Sequence, residues 1–278
     1  MKIKTSPKLE NVYDIARKFL ISKIPGEDPE SILNPYLSVA DKDALPESLA
    51  QVYMRLLISA QNANMKAAVI GGSIGGVENL GPVLFGFDPK RISDHYENDH
   101  AAVLNEIRTK IKPSGQMRDT SKSVWPKYCK TILSGARFFT QFATGSEFYS
   151  WANHFYEDKR SIAALPMILG QEIYGIGYPL ACDFLKELGF INYGKPDVHI
   201  IEIFRGIGLC QFEASAYDIQ KIIVLIGAAR NVPAYNVDKI FWLIGSGKFY
   251  LNPELGNNGR IGSCKNEFIQ QFGRLYSD

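Results

Sequence analysis

Helical periodicity is the feature that most constrains how this chain can fold. In ten segments, apolar residues recur at spacings of three and four, the pattern of helices with one buried face. The alternation typical of strands is scarce. The predicted helices span residues 9–24, 47–59, 103–111, 131–142, 148–155, 162–173, 178–188, 199–209, 216–229 and 237–244. We therefore expect an all-α protein.

Glycine- and proline-rich breaks divide the helical pattern into two regions. The breaks fall at residues 25–26, 71–86, 112–115, 189–196 and 231–233. With 278 residues, 46% of them hydrophobic, the chain can bury one large core or two smaller ones. We expect a two-lobed fold, with a helical barrel at residues 45–188 and a second helical lobe formed by residues 1–44 and 189–278. The stretch 173–200 is expected at their junction.

A short GxG turn interrupts the helical pattern near the middle of the chain. Gly175 and Gly177 flank Ile176, and we expect both glycines to adopt positive φ angles in a tight hairpin. Such a hairpin leaves backbone N–H groups free to hold an anion. Pro179 suits the first turn of the helix that follows, whose positive dipole end would attract a phosphate. The local pattern therefore predicts a nucleic-acid phosphate site.

An isolated carboxylate, Asp197, follows this hairpin. It lies between Pro196 and an apolar helical run, so its simplest role is that of a helix N-cap. A catalytic role is the alternative, and both roles can coexist. We expect helix-end N–H groups to keep the carboxylate ionised. An ionised carboxylate can stabilise a positively charged sugar transition state and orient an attacking water.

At these residues the chain resembles the helix-hairpin-helix (HhH-GPD) DNA glycosylase superfamily. Its signature is a GxG hairpin followed by a stretch that closes on an aspartate. Asp197 lies twenty positions after Gly177, the spacing of the endonuclease III branch. Upstream, Ser59-Ala60-Gln61 resembles the family's early core helix, which ends in Ser-x-Gln. The resemblance covers residues 50–250.

The resemblance implies a repair enzyme of the base-excision class. Asp197 would be the catalytic residue. Base-stacking candidates, for which an ordinary core role is the alternative, are Tyr174, Trp125, Trp151 and Trp242. Residues expected to touch DNA are Gly175, Ile176, Gly177, Tyr178, Gln61, Asn62 and Asn64, although turn hydrogen bonding would equally explain the two asparagines.

The chain departs from the pattern of this family in two respects. Pro179 stands where the strand-cutting branches carry a nucleophilic lysine, so we expect a monofunctional enzyme that uses water. A lysine from elsewhere would be the alternative amine, and the chain offers Lys66, Lys186, Lys195 and Lys248. The four cysteines are dispersed, without the spacing of a zinc site or an iron–sulfur cluster. We expect no metal and no cofactor.

Net charge and terminal sequence bear on the partners. The formal net charge is only +2, so DNA binding would need a local basic patch. Residues 108–130 offer seven basic side chains, with Trp125 and Tyr128 interleaved, although a solvated helix face would look the same. The chain shows neither a signal peptide nor an apolar run of membrane-spanning length. We expect a cytoplasmic monomer that binds duplex DNA and no membrane.

Other function classes find less support. The glycine-rich residues 71–76 lack the spacing of a dinucleotide-binding turn and lack a P-loop lysine. The leading hypothesis is a DNA glycosylase that flips a damaged or mispaired base and hydrolyses its bond to deoxyribose. Two alternatives remain: a noncatalytic DNA-binding protein that uses the same hairpin, and an unrelated helical protein whose GxG turn is only a corner.

Overall fold

The computed structural model describes residues 7–38, 45–63, 69–158 and 160–276. Within these ranges the secondary structure is helical, with no strand beyond isolated bridges near Lys248 and Gly256. The helices are α1 (Pro7–Lys23), α2 (Pro29–Leu37), α3 (Leu49–Ala60), α4 (Gly71–Ile74), α5 (Pro89–Tyr96), α6 (His100–Glu106), α7 (Val124–Phe139), α8 (Gly145–Tyr156), α9 (Leu165–Glu172), α10 (Tyr178–Glu187), α11 (Val198–Gly206), α12 (Ala216–Arg230), α13 (Ala234–Ser246) and α14 (Lys265–Leu275). The all-α prediction is confirmed.

The chain separates into two compact units. The central unit is Asp41–Leu188, and the split unit combines Met1–Ala40 with Gly189–Asp278. The central unit therefore holds α3 to α10, and the split unit holds α1, α2 and α11 to α14. The GxG turn belongs to the central unit and Asp197 to the split unit.

Helix α7 organises the core of the central unit. It packs against α3, α5, α6 and α9, and its buried side chains recur at helical spacing. A Cβ atom at Gly135 would lie 3.0 Å from Leu56 Cδ2, so this glycine allows α3 to approach closely. The Tyr53 hydroxyl donates to the Ile132 carbonyl at 2.7 Å, which ties α3 to α7 deep in the core.

Helix α13 occupies the corresponding place in the split unit. It packs on α1, α11 and α12, and it buries Val237, Ile240, Phe241 and Ile244. The rings of Phe204 and Phe241 meet edge to face with centroids 5.0 Å apart. Burial of such large apolar side chains stabilises each by about 1.5–3 kcal/mol.

Several short helices were missed by the sequence prediction. Helices α2, α5 and α14 each bury only two or three residues, so they offer few apolar positions from which a spacing could be read. The first two begin at a capping aspartate followed by proline: Asp28 accepts from the Ser31 N–H, and Asp88 from the N–H groups of Lys90 and Arg91. The predicted break at 71–86 contains α4 and two 3₁₀ turns. Local capping therefore specifies helices that apolar spacing does not.

No helix in the described ranges is both long enough and apolar enough to cross a membrane.

Candidate functional site

The GxG turn joins α9 to α10. Residues 173–176 form a β-turn, which we call the hairpin turn, closed by the Ile176 N–H donating to the Ile173 carbonyl at 3.2 Å. Gly175 occupies the third position with φ +77°, where a type II turn requires a positive angle. Gly177 is extended, with φ −79° and ψ 165°. The expectation of positive φ at both glycines was therefore wrong for Gly177, because one left-handed residue suffices to reverse the chain.

Helix α7 packs against the hairpin turn. Ser134 Oγ accepts from the Tyr174 N–H at 2.9 Å. A Cβ atom at Gly175 would lie 2.9 Å from Thr131 Oγ1, closer than real Cβ contacts. The Lys130 ammonium group lies 5.7 Å from the centroid of the exposed Tyr174 ring. The turn is thus tied to α7, with a cation beside it.

The hairpin turn and the residue after it offer two N–H groups to a ligand. Gly175 and Gly177 are both exposed, and neither N–H donates a hydrogen bond to any residue in the described ranges. Ile176 between them is buried and anchors the loop. The Tyr178 hydroxyl donates to the Ala163 carbonyl at 2.9 Å, which fixes the start of α10. Exposed N–H groups near a helix N-terminus suit a phosphate oxygen.

Asp197 is the N-cap of α11. Its Oδ1 accepts from the N–H groups of His199 at 2.9 Å and Ile200 at 3.2 Å. The Oδ2 atom accepts no hydrogen bond from the parts of the chain that are described. The side chain is half-buried. One carboxylate oxygen therefore holds the helix end while the other remains available to a ligand.

The surroundings of Asp197 disfavour its charge. Burial raises the pKa of this carboxyl above its usual value, and the nearby Asp238 carboxylate adds to the rise. The Ile200 N–H, His199 and Lys195 act in the opposite direction and are outweighed. The capping N–H groups therefore lower the pKa of this carboxyl by less than burial and Asp238 raise it. Asp238, on α13, is a neighbour that the sequence analysis missed, since it lies far away along the chain.

A buried glutamine fixes the loop that leads to Asp197. Gln220 on α12 is fully buried; its Oε1 accepts from the Gly194 N–H and its Nε2 donates to the Asn192 carbonyl, both at 3.1 Å. A Cβ atom at Gly194 would lie 2.8 Å from Ile223 Cγ2 and 3.1 Å from Asp238 Cβ. The loop therefore lies tightly against α12 and α13. Gln220 was also missed, and its only sequence signal is a polar residue on an apolar helix face.

Gln61 performs a structural task at the end of α3. Its Oε1 accepts from the Gly71 N–H at 3.1 Å, which links α3 to the start of α4. Its amide nitrogen donates to no residue in the described part and so remains available. The Asn62 N–H donates to the Ser59 carbonyl at 3.2 Å, and its side chain is half-exposed. Asn64 and Lys66 lie outside the described residues.

The four aromatic candidates occupy different settings. Trp125 is buried, and Trp151 lies among Phe138, Phe142 and Phe148 in an aromatic cluster. Trp242 is half-buried, 6.0 Å from the Tyr250 ring. Tyr174 is exposed on the hairpin turn. The structure groups Tyr174 with the hairpin glycines but does not gather the four rings into one pocket within either unit.

The raised pKa of Asp197 predicts an unusual stability profile. A carboxyl that binds its proton more tightly when folded contributes stability below its unfolded pKa, about 3.9, and loses it as pH rises through the folded value. Asp197→Asn, which cannot ionise, should therefore be at least as stable as the parent at neutral pH. Thermal unfolding measured from pH 3 upward should show that the Tm of the variant, relative to the Tm of the parent at the same pH, rises with pH.

Asp218→Asn is the matched control in the same unit. Hydrogen bonds from Ser215 lower the pKa of Asp218, so its contribution is present above the unfolded pKa and lost as pH falls. This variant should be less stable than the parent at neutral pH, with the difference shrinking in acid. If the stability of both variants relative to the parent changed with pH in the same direction, the raised pKa of Asp197 would be contradicted.

Among known proteins, a solved structure is similar to this chain, whereas family models and curated proteins are not. No protein-family model matches this chain. No curated protein matches it either. The solved 8-oxoguanine glycosylase/lyase of Methanocaldococcus jannaschii, in complex with a 15-mer DNA containing 8-oxoguanine, is similar at 18% identity and a TM-score of 0.48, covering 81% of this chain and 96% of that one.

Proposed function

We propose that this protein is a DNA glycosylase that removes a damaged or mispaired base from duplex DNA by hydrolysis. The observation that carries the proposal is the setting of Asp197. Its Oδ1 is fixed by two helix N–H groups, its Oδ2 accepts no hydrogen bond from the described residues, and burial raises its pKa. A carboxylate with a raised pKa is a stronger base than an ordinary aspartate.

The proposed chemistry needs one carboxylate and one water. As the bond between sugar C1′ and the base nitrogen breaks, the base leaves with the electron pair and the sugar acquires oxocarbenium character. The ionised Asp197 stabilises that charge. Its free oxygen orients the water whose oxygen bonds to C1′, and it accepts the proton that this water releases. That proton then passes through solvent to the nitrogen of the departed base, which leaves Asp197 ionised again. The products are a free base and an abasic site.

The hairpin turn would hold the strand on which this chemistry occurs. The exposed N–H groups of Gly175 and Gly177 can donate to phosphate oxygens, with Lys130 adding positive charge beside the turn. Phosphate contacts of this kind position the duplex without reading its sequence. Flipping the target base costs a few kcal/mol, and least for a weakly paired base, which supplies part of the selectivity.

A panel of duplexes that each carry one alkylated, oxidised, deaminated or mismatched base tests the proposal. We expect abasic-site formation on at least one of them, detected by alkaline cleavage of the product strand. The noncatalytic alternative, a protein that only docks on DNA through the hairpin turn, gives binding to the whole panel without abasic sites. The panel also identifies the base, which depends on side chains from several helices.

The proposal specifies water as the nucleophile. Pro179 is the second residue of α10 and carries no amine. Lys186 on the same helix is buried and forms an ion pair with Asp183 at 3.4 Å, so its ammonium group is not exposed for attack. Lys248 is exposed, and Lys195 is half-buried two positions before Asp197. Lys66 lies outside the described residues.

We therefore expect product strands to stay intact until alkali is added, with no covalent adduct trapped by borohydride. A lyase step requires an amine held against the sugar carbon, and the hairpin helix lacks one at the required place. Gel electrophoresis of the reaction with and without borohydride measures both outcomes. Efficient trapping would refute the hydrolytic mechanism, and alanine variants of Lys66, Lys186, Lys195 and Lys248 would then locate the nucleophile.

A further inference from the structure

The central unit contains a recess that the proposed chemistry does not use. Its volume is about 660 Å³, and it lies between Gly72-Ser73 and the stretch from Ser114 to Trp125. Of the residues that the structure describes, hydroxyl groups, Gln116, Arg118 and Lys122 line it, and no carboxylate does. A neighbouring recess of about 410 Å³ in the same unit includes Asp88 and Glu147. The larger recess is therefore the one suited to an anion.

Neither cation of the recess forms an ion pair with a residue that the structure describes. Arg118 Nε donates to Gln116 Oε1 at 3.2 Å rather than to a carboxylate, and Lys122 forms no ion pair with any described residue. The basic residues just upstream differ, since Arg108 pairs with Asp119 and Lys110 pairs with Glu106. Of the basic patch at 108–130, the part facing the recess thus keeps its charge for a ligand.

An apolar wall completes the recess. Val69, Val124 and Trp125 contribute to its lining. The Trp125 ring is buried and meets the Tyr128 ring with centroids 6.1 Å apart, while the Tyr128 hydroxyl donates to the Leu57 carbonyl at 3.0 Å. Trp125 and Tyr128 alternate along the chain with the basic residues of 108–130, but both are buried rather than exposed with that patch. A fixed aromatic wall beside two free cations suits a flat ring joined to a phosphate.

Helix α7 connects this recess to the hairpin turn. Trp125 lies in its first turn, and Thr131, which contacts Gly175, lies six residues further along. Six residues of helix span about 9 Å. Successive phosphates of one DNA strand advance about 3.4 Å along the duplex axis, so both features lie within reach of a few consecutive nucleotides of one strand. Lys127 and Lys130 lie between the two sites, with no ion pair to the described residues.

We infer that the recess binds one nucleotide of the DNA strand that the hairpin turn holds. Its phosphate lies against Arg118 and Lys122, and its base lies toward Val69 and Trp125. The assignment of the nucleotide to a DNA strand rests on the proposed function, while the affinity for a nucleotide follows from the recess itself. A free nucleotide has the same chemistry, so the test must separate the two sources.

The test compares two double variants of equal charge change. Arg118→Ala with Lys122→Ala removes the cations of the recess, and Lys90→Ala with Arg160→Ala removes two exposed cations that are paired with Asp94 and Asp158. Each protein is titrated with undamaged duplex DNA at a series of salt concentrations, and with deoxyadenosine 5′-monophosphate by calorimetry. Circular dichroism checks that each variant is folded.

The affinity for DNA decreases as salt increases. We expect the magnitude of the slope of log affinity against log salt to be smaller by about 1–2 in the recess variant and unchanged in the control. Binding of deoxyadenosine monophosphate should be lost in the recess variant alone. If the parent binds the mononucleotide through these residues but binds no DNA, the recess is still a nucleotide site, while the proposed function as a DNA glycosylase fails. Unchanged slope and mononucleotide binding in the recess variant, or equal losses in both variants, would overturn the inference.

Discussion

Replacing Asp197 with asparagine should reduce abasic-site formation by about 10²–10⁴-fold, the usual contribution of a positioned acid or base. Asparagine keeps an oxygen that can cap α11, but it carries no charge and accepts no proton from water. Binding to duplex DNA should change by only a few-fold, because the lost interaction belongs to the transition state. Single-turnover kinetics on the best duplex of the lesion panel, with binding measured separately, give both quantities.

Other capping aspartates provide controls for this substitution. Asp88 and Asp99 accept N–H groups at the starts of α5 and α6 with the same local geometry as Asp197. Asp88→Asn and Asp99→Asn remove an equal charge at an equivalent helix end, and should leave base release unchanged. Turnover retained in Asp197→Asn would remove this residue from the catalytic role and leave it as a cap.

Replacing Gly175 with valine should weaken binding to every duplex by a similar factor of about tenfold or more, consistent with loss of one charge-assisted hydrogen bond. A β-branched residue is strained at φ +77°, and its Cβ would lie 2.9 Å from Thr131 Oγ1. The hairpin turn must then shift, and its exposed N–H groups move with it. Fluorescence anisotropy with damaged and undamaged duplexes measures the effect.

Variants of two other glycines are controls for Gly175→Val. They separate loss of the phosphate site from the effects of an added side chain and of backbone strain. Gly177→Ala should be mild, because its φ is −79° and the nearest atom to an added Cβ is Pro179 Cδ at 3.8 Å. Gly208→Val places the same strain at φ +71° in the split unit and should lower stability without changing DNA binding. A lesion-selective loss in Gly175→Val would mean that the turn reads bases, contrary to its proposed role.

The sequence alone determined the helical class and the local chemistry of both motifs. Apolar spacing is a short-range property, so α1, α3 and α7 to α13 could be predicted from it, with boundaries within three residues except at the start of α7, which begins at Val124 rather than at residue 131. The GxG pattern predicted a turn that needs a positive φ, which Gly175 supplies. Proline, aspartate and an apolar run predicted an N-cap, which Asp197 forms. Each prediction depends on a few consecutive residues.

Only the tertiary structure decided how those motifs are supported and charged. Asp238 approaches Asp197, and Gln220 pins the preceding loop, because α11, α12 and α13 pack together across stretches of intervening chain. The pKa of Asp197 rises because desolvation and like charge act through space and outweigh the local N–H groups. In the central unit, the burial of Trp125 and the free cations at the recess likewise depend on which side chains meet after folding.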